Sequence, residues 1–208
     1  MSNSALGGFR ILELSTGVAG PFAGKLFADY GADVVKIEPL SGDEARKLPP
    51  FFNDHPHPEK SLSFLYLNTN KRSITLDIRT AQGQQMLATL AGQFDAIIES
   101  YPPGYLDNLG IGYNDLSKIN PHLVMTSITP YGQKGPYRDY PGDDIIYEAM
   151  GGIMYISGAH DREPLKHGHP QSLYIGGITA AYATSSALFS RISLGKGQHI
   201  DLSLRDVS

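Results

Sequence analysis

The chain has 208 residues, of which 41% are hydrophobic and 18% charged, so it is long enough for one full-sized domain and too apolar to be disordered. A net charge of −4 argues against a nucleic acid or an anionic membrane as partner. The absence of cysteine excludes disulfides and thiol catalysis. No run of roughly 18 apolar residues could span a bilayer, and Met1-Ser2-Asn3-Ser4 lacks the basic and apolar regions of a secretory signal, so the default location is cytoplasmic.

The first forty residues set the pattern. Phe9 to Leu14 reads as an apolar strand, and Ser15 to Pro21 as a turn of small residues. Phe22 to Tyr30 carries apolar positions at helical spacing, with Pro21 suited to the first turn. Val34 to Glu38 is a second strand, which completes a right-handed strand–helix–strand unit. The start of its helix, behind a turn without bulky side chains, can face a phosphate or a ligand backbone.

Leu48 to Lys60 holds four prolines and two histidines and reads as a surface excursion. His55 and His57 have no fixed carboxylate beside them to make a metal set. Ser73 to Ile78 alternates and predicts a strand. Thr80 opens a helix with Met86, Leu87, Leu90 and Phe94 on its apolar face. Asp95 to Glu99 is a buried strand, Tyr105 to Gly110 one or two helical turns, Asn114 to Ile119 a short helix, and Leu123 to Ile128 another strand. A glycine-rich loop, Tyr131 to Tyr137, follows that strand directly. Ligands in open parallel sheets sit beyond such carboxyl ends. Asp143 to Met150 predicts a helix with acids in its first turn, Ser172 to Leu194 one long helix rich in small residues, and His199 to Leu204 a last strand. Strands alternating with helices predict an α/β domain with a mainly parallel sheet.

Four stretches in order carry a resemblance: Gly31 to Pro39, Asn70 to Asp77, Ile128 to Tyr137 and Gly195 to Leu204. Together they resemble the family III CoA-transferases, a group that includes formyl-CoA transferase, carnitine CoA-transferase and the α-methylacyl-CoA racemases. The resemblance implies the N-terminal half of a Rossmann-like large domain, with residues 1–208 as its CoA-binding part. The small domain and the returning C-terminal segment of the family would then lie outside this chain, which would be a truncated chain, a fragment or a split gene product. It also implies an interlocked dimer, cytoplasmic chemistry on CoA thioesters of carboxylic acids, and no metal.

For the CoA ligand, the resemblance places adenosine and phosphates along the first turn near Val18 and Ala19. Leu76 and Arg79 would lie beside the base, and Ser100, Tyr101, Tyr105 and Asn108 along the pantetheine path. Arg79 is a phosphate partner or, equally, a solvated residue ahead of a helix. Many relatives carry arginine at Asn108, so a cation is missing there. Lys71 and Arg72 could approach phosphate, but pairing with a sheet-edge carboxylate is the better reading.

Transferases of this family use an aspartate that attacks the thioester, forms a mixed anhydride, and then an aspartyl-CoA thioester. Glycine-loop amides stabilise the oxyanion. The matching position here is Leu173, and leucine cannot form an anhydride. The racemase branch would need a histidine at Asp143 and an aspartate at Leu173, and has neither. Three readings follow: a non-catalytic partner subunit of a hetero-oligomeric transferase, a self-sufficient acyl-CoA transferase, lyase or isomerase with relocated residues, and an acyl-CoA-binding module. Asp144 matches an acidic position near the nucleophile and can be a remnant of the site, whereas Asp143 reads as a helix N-cap. His160, His167 and His169 read as a polar loop, with a local role for His169 as the alternative.

Overall fold

The computed structural model describes residues 4–208; Met1, Ser2 and Asn3 of the N-terminal segment read above lie outside them. Six strands carry the domain: β1 (Arg10–Leu14), β2 (Asp33–Glu38), β3 (Arg72–Thr75), β4 (Ala96–Glu99), β5 (Val124–Thr129) and β6 (His199–Ser203). They form one sheet in the order β3-β2-β1-β4-β5-β6, every neighbouring pair parallel. This is the doubly wound dinucleotide-fold order, whose direction reverses between β1 and β4 and leaves a crevice at their carboxyl ends.

Seven helices cover the sheet: α1 (Ala19–Asp29), α2 (Leu62–Leu67), α3 (Ala81–Ala91), α4 (Tyr105–Asn108), α5 (Tyr113–Ile119), α6 (Asp144–Gly151) and α7 (Gln171–Leu194). Strand alternation divides the core. Ile11, Val34, Ala96, Ile98, Val124 and Ile128 pack under α1 and α7. Leu12, Leu14, Val35, Ile37, Ile97 and Met125 pack under α3, α4 and α5. Helix α7 reaches α1 closely because Gly177 lacks a side chain: a Cβ there would stand 2.6 Å from the Ala19 carbonyl oxygen. Phe22 of α1 and Tyr174 of α7 meet edge to face, with centroids 5.0 Å apart.

The expected strand at Ser73–Ile78 is shorter and starts earlier. Asp77 and Thr80 turn the chain instead, the Thr80 hydroxyl accepting from the Gly83 amide to cap α3. The surface excursion also contains more structure than expected. Phe52–Asp54 is a short 3-10 turn, another at Glu44–Lys47 precedes the excursion, and Phe51 bridges to Ser61, whose hydroxyl caps α2. None of the described helices is long and apolar enough to cross a membrane.

Candidate functional site

The crevice is built where the β1–α1 turn meets the loop after β4. Val18 is the N-cap residue of α1, with no side-chain cap among the described residues, and Ala19 is its buried first residue. The Thr16 amide donates to Ser100 Oγ at 3.1 Å and ties the two loops together. Tyr101 and Tyr105 stack with centroids 5.0 Å apart. Beside them, Ser100, Tyr101, Pro103, Pro130, Arg138 and Tyr140 contribute to a cavity of about 560 Å³. The structure therefore gathers Val18, Ala19, Ser100, Tyr101 and Tyr105, from three segments of sequence, at the switch point.

The remaining expected contacts lie farther out. Leu76 follows β3 half-buried against the second core layer. Arg79 is exposed and folded back on Asp77, with Nε 2.8 Å from Oδ1 and Nη2 2.9 Å from Oδ2. Hydrogen bonds from Arg79 hold the Asp77 carboxyl down at about 2. Asn108 ends α4 exposed to solvent.

Beneath the turn sits a cluster that motif reading missed. Glu13 and Lys36 project from β1 and β2 into the α1 side of the sheet, both almost wholly buried. Lys36 Nζ lies 2.9 Å from Glu13 Oε1, 2.9 Å from Asp43 Oδ2 and 2.7 Å from the Ser15 carbonyl oxygen. Lys71 Nζ lies 2.7 Å from Glu13 Oε2, 2.7 Å from the Pro21 carbonyl oxygen and 2.9 Å from Asn68 Oδ1. Glu13 Oε2 and Asp43 Oδ2 fall outside strict hydrogen-bond angles. A rotating ammonium at these separations still pairs with them. Gly24 makes the arrangement possible, because a Cβ there would collide with the Glu13 carboxylate. Burial opposes charge on Glu13, yet Lys36 and Lys71 win and hold its carboxyl below the usual range. For Lys71 burial wins, pushing the ammonium down to about 8 despite Glu13. Lys71 is thus paired structurally, as expected, but with a central-strand carboxylate instead of an edge one; Arg72 pairs with Asp33 on β2 at 2.6 Å.

On the opposite face of the sheet, Glu99 is buried with its Oε2 accepting from the Tyr101 amide at 2.7 Å. Burial pushes its carboxyl up to about 7, with Asp107 and Asp201 adding to the rise. Ser127 Oγ lies 2.8 Å from His199 Nε2, and the His199 ring stacks on Tyr113.

The second half of the site is the start of α7. Leu173 is half-buried and packs on the α1-side core. Around it, Asp144 Oδ1 accepts from the Ser172 amide at 3.1 Å, and Lys166 Nζ lies 2.6 Å from Asp144 Oδ2. The His167 amide donates to Glu148 Oε2 at 3.0 Å, with His167 Nδ1 3.3 Å from the same oxygen. Three buried atoms here, Asp144 Oδ2, Glu148 Oε1 and Ser172 Oγ, make no strict hydrogen bond among the described residues, and of these Asp144 Oδ2 has the Lys166 ammonium beside it. Asp143 occupies the N-cap position of α6 but its side chain makes no capping bond, so the capping expectation holds for place and not for contact. The three histidines do not converge: His167 joins Glu148, while His160 and His169 are exposed.

The sequence matches the family described as CoA-transferase family III over residues 6–208. It is 38% identical over 194 residues to the succinyl-CoA:(R)-benzylsuccinate CoA-transferase subunit BbsE of Thauera aromatica, covering 93% of this chain and 47% of that one. It is 40% identical over 205 residues to the succinyl-CoA:glutarate CoA-transferase of Mus musculus, covering 98% of this chain and 46% of that one. The fold superposes on a CAIB/BAIF family protein from Brucella suis with a TM-score of 0.92 at 40% identity, over 99% of this chain and 55% of that one. The chain spans about half the length of the curated relatives it matches. With the parallel sheet, the switch-point crevice and this match over nearly the whole sequence, the chain belongs to CoA-transferase family III.

Proposed function

We propose that this chain binds a CoA thioester of a carboxylic acid at the β1–β4 crevice and works as a non-catalytic subunit of a CoA-transferase whose nucleophilic aspartate resides on a partner chain. Residues 1–208 are the N-terminal portion of the CoA-binding large domain in this reading. The crevice suits the ligand: an uncapped helix start offers amides to phosphate, and the Tyr101–Tyr105 stack with Pro103 and Pro130 offers an apolar wall to the pantetheine arm.

The observation that carries the reading is Leu173. It stands where the family resemblance puts the nucleophile, and its side chain belongs to the apolar core cluster. The acid beside it, Asp144, is neutralised by Lys166, whose ammonium that hydrogen bond holds above the usual lysine range. A carboxylate held by an ammonium and a backbone amide is a weaker and less mobile nucleophile than a free one. Two relatives are themselves named as subunits, BbsE and the beta subunit of a succinyl-CoA–L-malate CoA-transferase from Chloroflexus aurantiacus, the latter 37% identical over 96% of this chain. They support a divided enzyme here.

The test is CoA exchange between succinyl-CoA and a panel of free dicarboxylic acids. The chain alone is expected to bind CoA without exchanging it, and to gain exchange when a homologue with aspartate at the matching position is added. Leu173→Asp, assayed in the same mixture after trapping with hydroxylamine, is expected to acquire a labelled carboxylate. Exchange by the unaltered chain alone would overturn the subunit reading in favour of a self-sufficient enzyme.

A further inference from the structure

The two buried lysines are used in parallel ways. Lys36 donates to Glu13 Oε1 and to the Ser15 carbonyl and is ion-paired with Asp43. Lys71 donates to Asn68 Oδ1 and to the Pro21 carbonyl and is ion-paired with Glu13. Ser15 opens the crevice turn and Pro21 lies in the first turn of α1, just beyond its end. The turn is therefore flanked on both sides by carbonyls held from beneath by charge-assisted bonds, which are shorter and stronger than neutral ones.

Two carboxylates and two ammoniums bring the cluster to zero net charge. It draws on β1, β2, the loop after β2, the residues before β3 and the end of α2. Stability alone gives no reason for such a set, because a buried ion pair is commonly matched or bettered by apolar residues of similar volume. What apolar residues could not do is grip the two backbone carbonyls that flank one turn. Between those grips the chain makes a left-handed step at Gly17, with φ at 76°, and then opens α1. That step exposes the amides of the helix start only while its flanks stay fixed.

We propose that Glu13, Lys36, Asp43 and Lys71 form a positioning cluster that fixes the Ser15–Pro21 backbone in its ligand-receiving shape. They act through the turn without touching the ligand. This rests on the CoA-binding reading of the crevice.

The experiment compares the unaltered chain, Lys71→Met, and the control Leu116→Ala, which opens the core on the far side of the sheet. CoA dissociation constants, urea unfolding, and exchange of the Thr16 and Phe22 amides are measured for each. Those amides donate to Ser100 Oγ and to the Val18 carbonyl. Loss of a preordered loop is expected to weaken CoA about tenfold in Lys71→Met and to accelerate both amides, with neither change in Leu116→Ala at comparable destabilisation. Exchange at Thr16 and Phe22 that follows global stability alike in both variants would overturn the positioning role. If the unaltered chain binds no CoA, the ligand reading fails by itself and the exchange comparison still decides this one. Should Lys71→Met not fold, Lys71→Arg decides it by the same amides: it keeps the charge but its planar fork cannot reproduce the three-point grip. Protection kept at both amides in the arginine variant would overturn the proposal.

Discussion

The β1–α1 turn and the start of α7 pack against each other, and both contain buried carboxylates, yet they treat them in opposite ways. Under the turn, Glu13 is paired by two lysines that also donate to backbone carbonyls, so each of its oxygens faces a cation and the charges balance. At α7, Glu148 is buried with one oxygen on His167 and the other without a partner, and Ser172 beside it leaves its hydroxyl unbonded among the described residues. Natural interiors leave few such groups. Beside Leu173, Glu148 Oε1 and Ser172 Oγ have neither a bond nor a cation among the described residues, whereas under the turn the carboxylate oxygens that miss a strict hydrogen bond, Glu13 Oε2 and Asp43 Oδ2, each still face a lysine ammonium. The contrast is what the proposed subunit reading expects, with binding on this chain and the chemistry on a partner.

The largest expected effect breaks the balanced side. Glu13→Ala leaves Lys36 and Lys71 facing each other in the core with Asp43 alone to offset them, which is expected to cost about 3–5 kcal/mol in urea unfolding. A loss below about 1 kcal/mol would mean that water or a shifted side chain replaces the carboxylate, and the cluster would not be a tightly coupled unit.

Glu99 sharpens the comparison as a third case, a buried carboxylate facing other acids instead of a cation. Its carboxyl titrates at about 7 in the folded chain, against an ordinary value of 4.5 when unfolded. Between those values the folded chain holds a proton that the unfolded chain has lost, so unfolding free energy falls as pH rises from about 4.5 to 7. The penalty is complete above 7. Its size, on the order of 3 kcal/mol, follows from the shift at 1.36 kcal/mol per unit. Glu99→Gln keeps the acceptor for the Tyr101 amide and is expected to flatten that part of the profile and to be the more stable chain at pH 8. Parallel profiles for the two proteins would assign the slope to other groups.

The sequence carried the architecture because the inner strands β1, β2, β4 and β5 are largely apolar and buried runs and α3 has one apolar stripe, and these periods survive into the sheet order. Leu173 was matched to the nucleophile position by counting from Gly151 and Gly152, and that match is part of the proposed reading. Glu13 and Lys36 left a signal that motif reading passes over: each alternates with a core residue, Ile11 and Val34, and so had to point inward. Their partners left none. Lys71 and Asp43 lie far along the chain from Glu13 and converge only when β2 and β3 pair beside β1. Lys166 was illegible for the same reason, as a loop residue brought to Asp144 by tertiary packing alone. Arg79 is the reverse case, since its Asp77 partner is two residues away and explains its placement without any ligand.

The smallest expected effect tests the unbalanced side. Ser172 is buried at the first turn of α7 with its amide on Asp144 and its hydroxyl unbonded. A buried polar group without a partner carries its desolvation cost and no compensating bond. Ser172→Ala keeps the amide contact, suits the helix better, and is expected to raise unfolding free energy by about 1 kcal/mol. In the balanced region the removal of a polar group is expected to have the opposite sign, with Glu13→Ala destabilising the chain in the same assay. A loss on Ser172→Ala would mean that the hydroxyl has a bond in solution, with Asp144, with Glu148 Oε1 or with water. The start of α7 would then be an intact polar site around Leu173, and the difference between the two regions would rest on the nucleophile position alone.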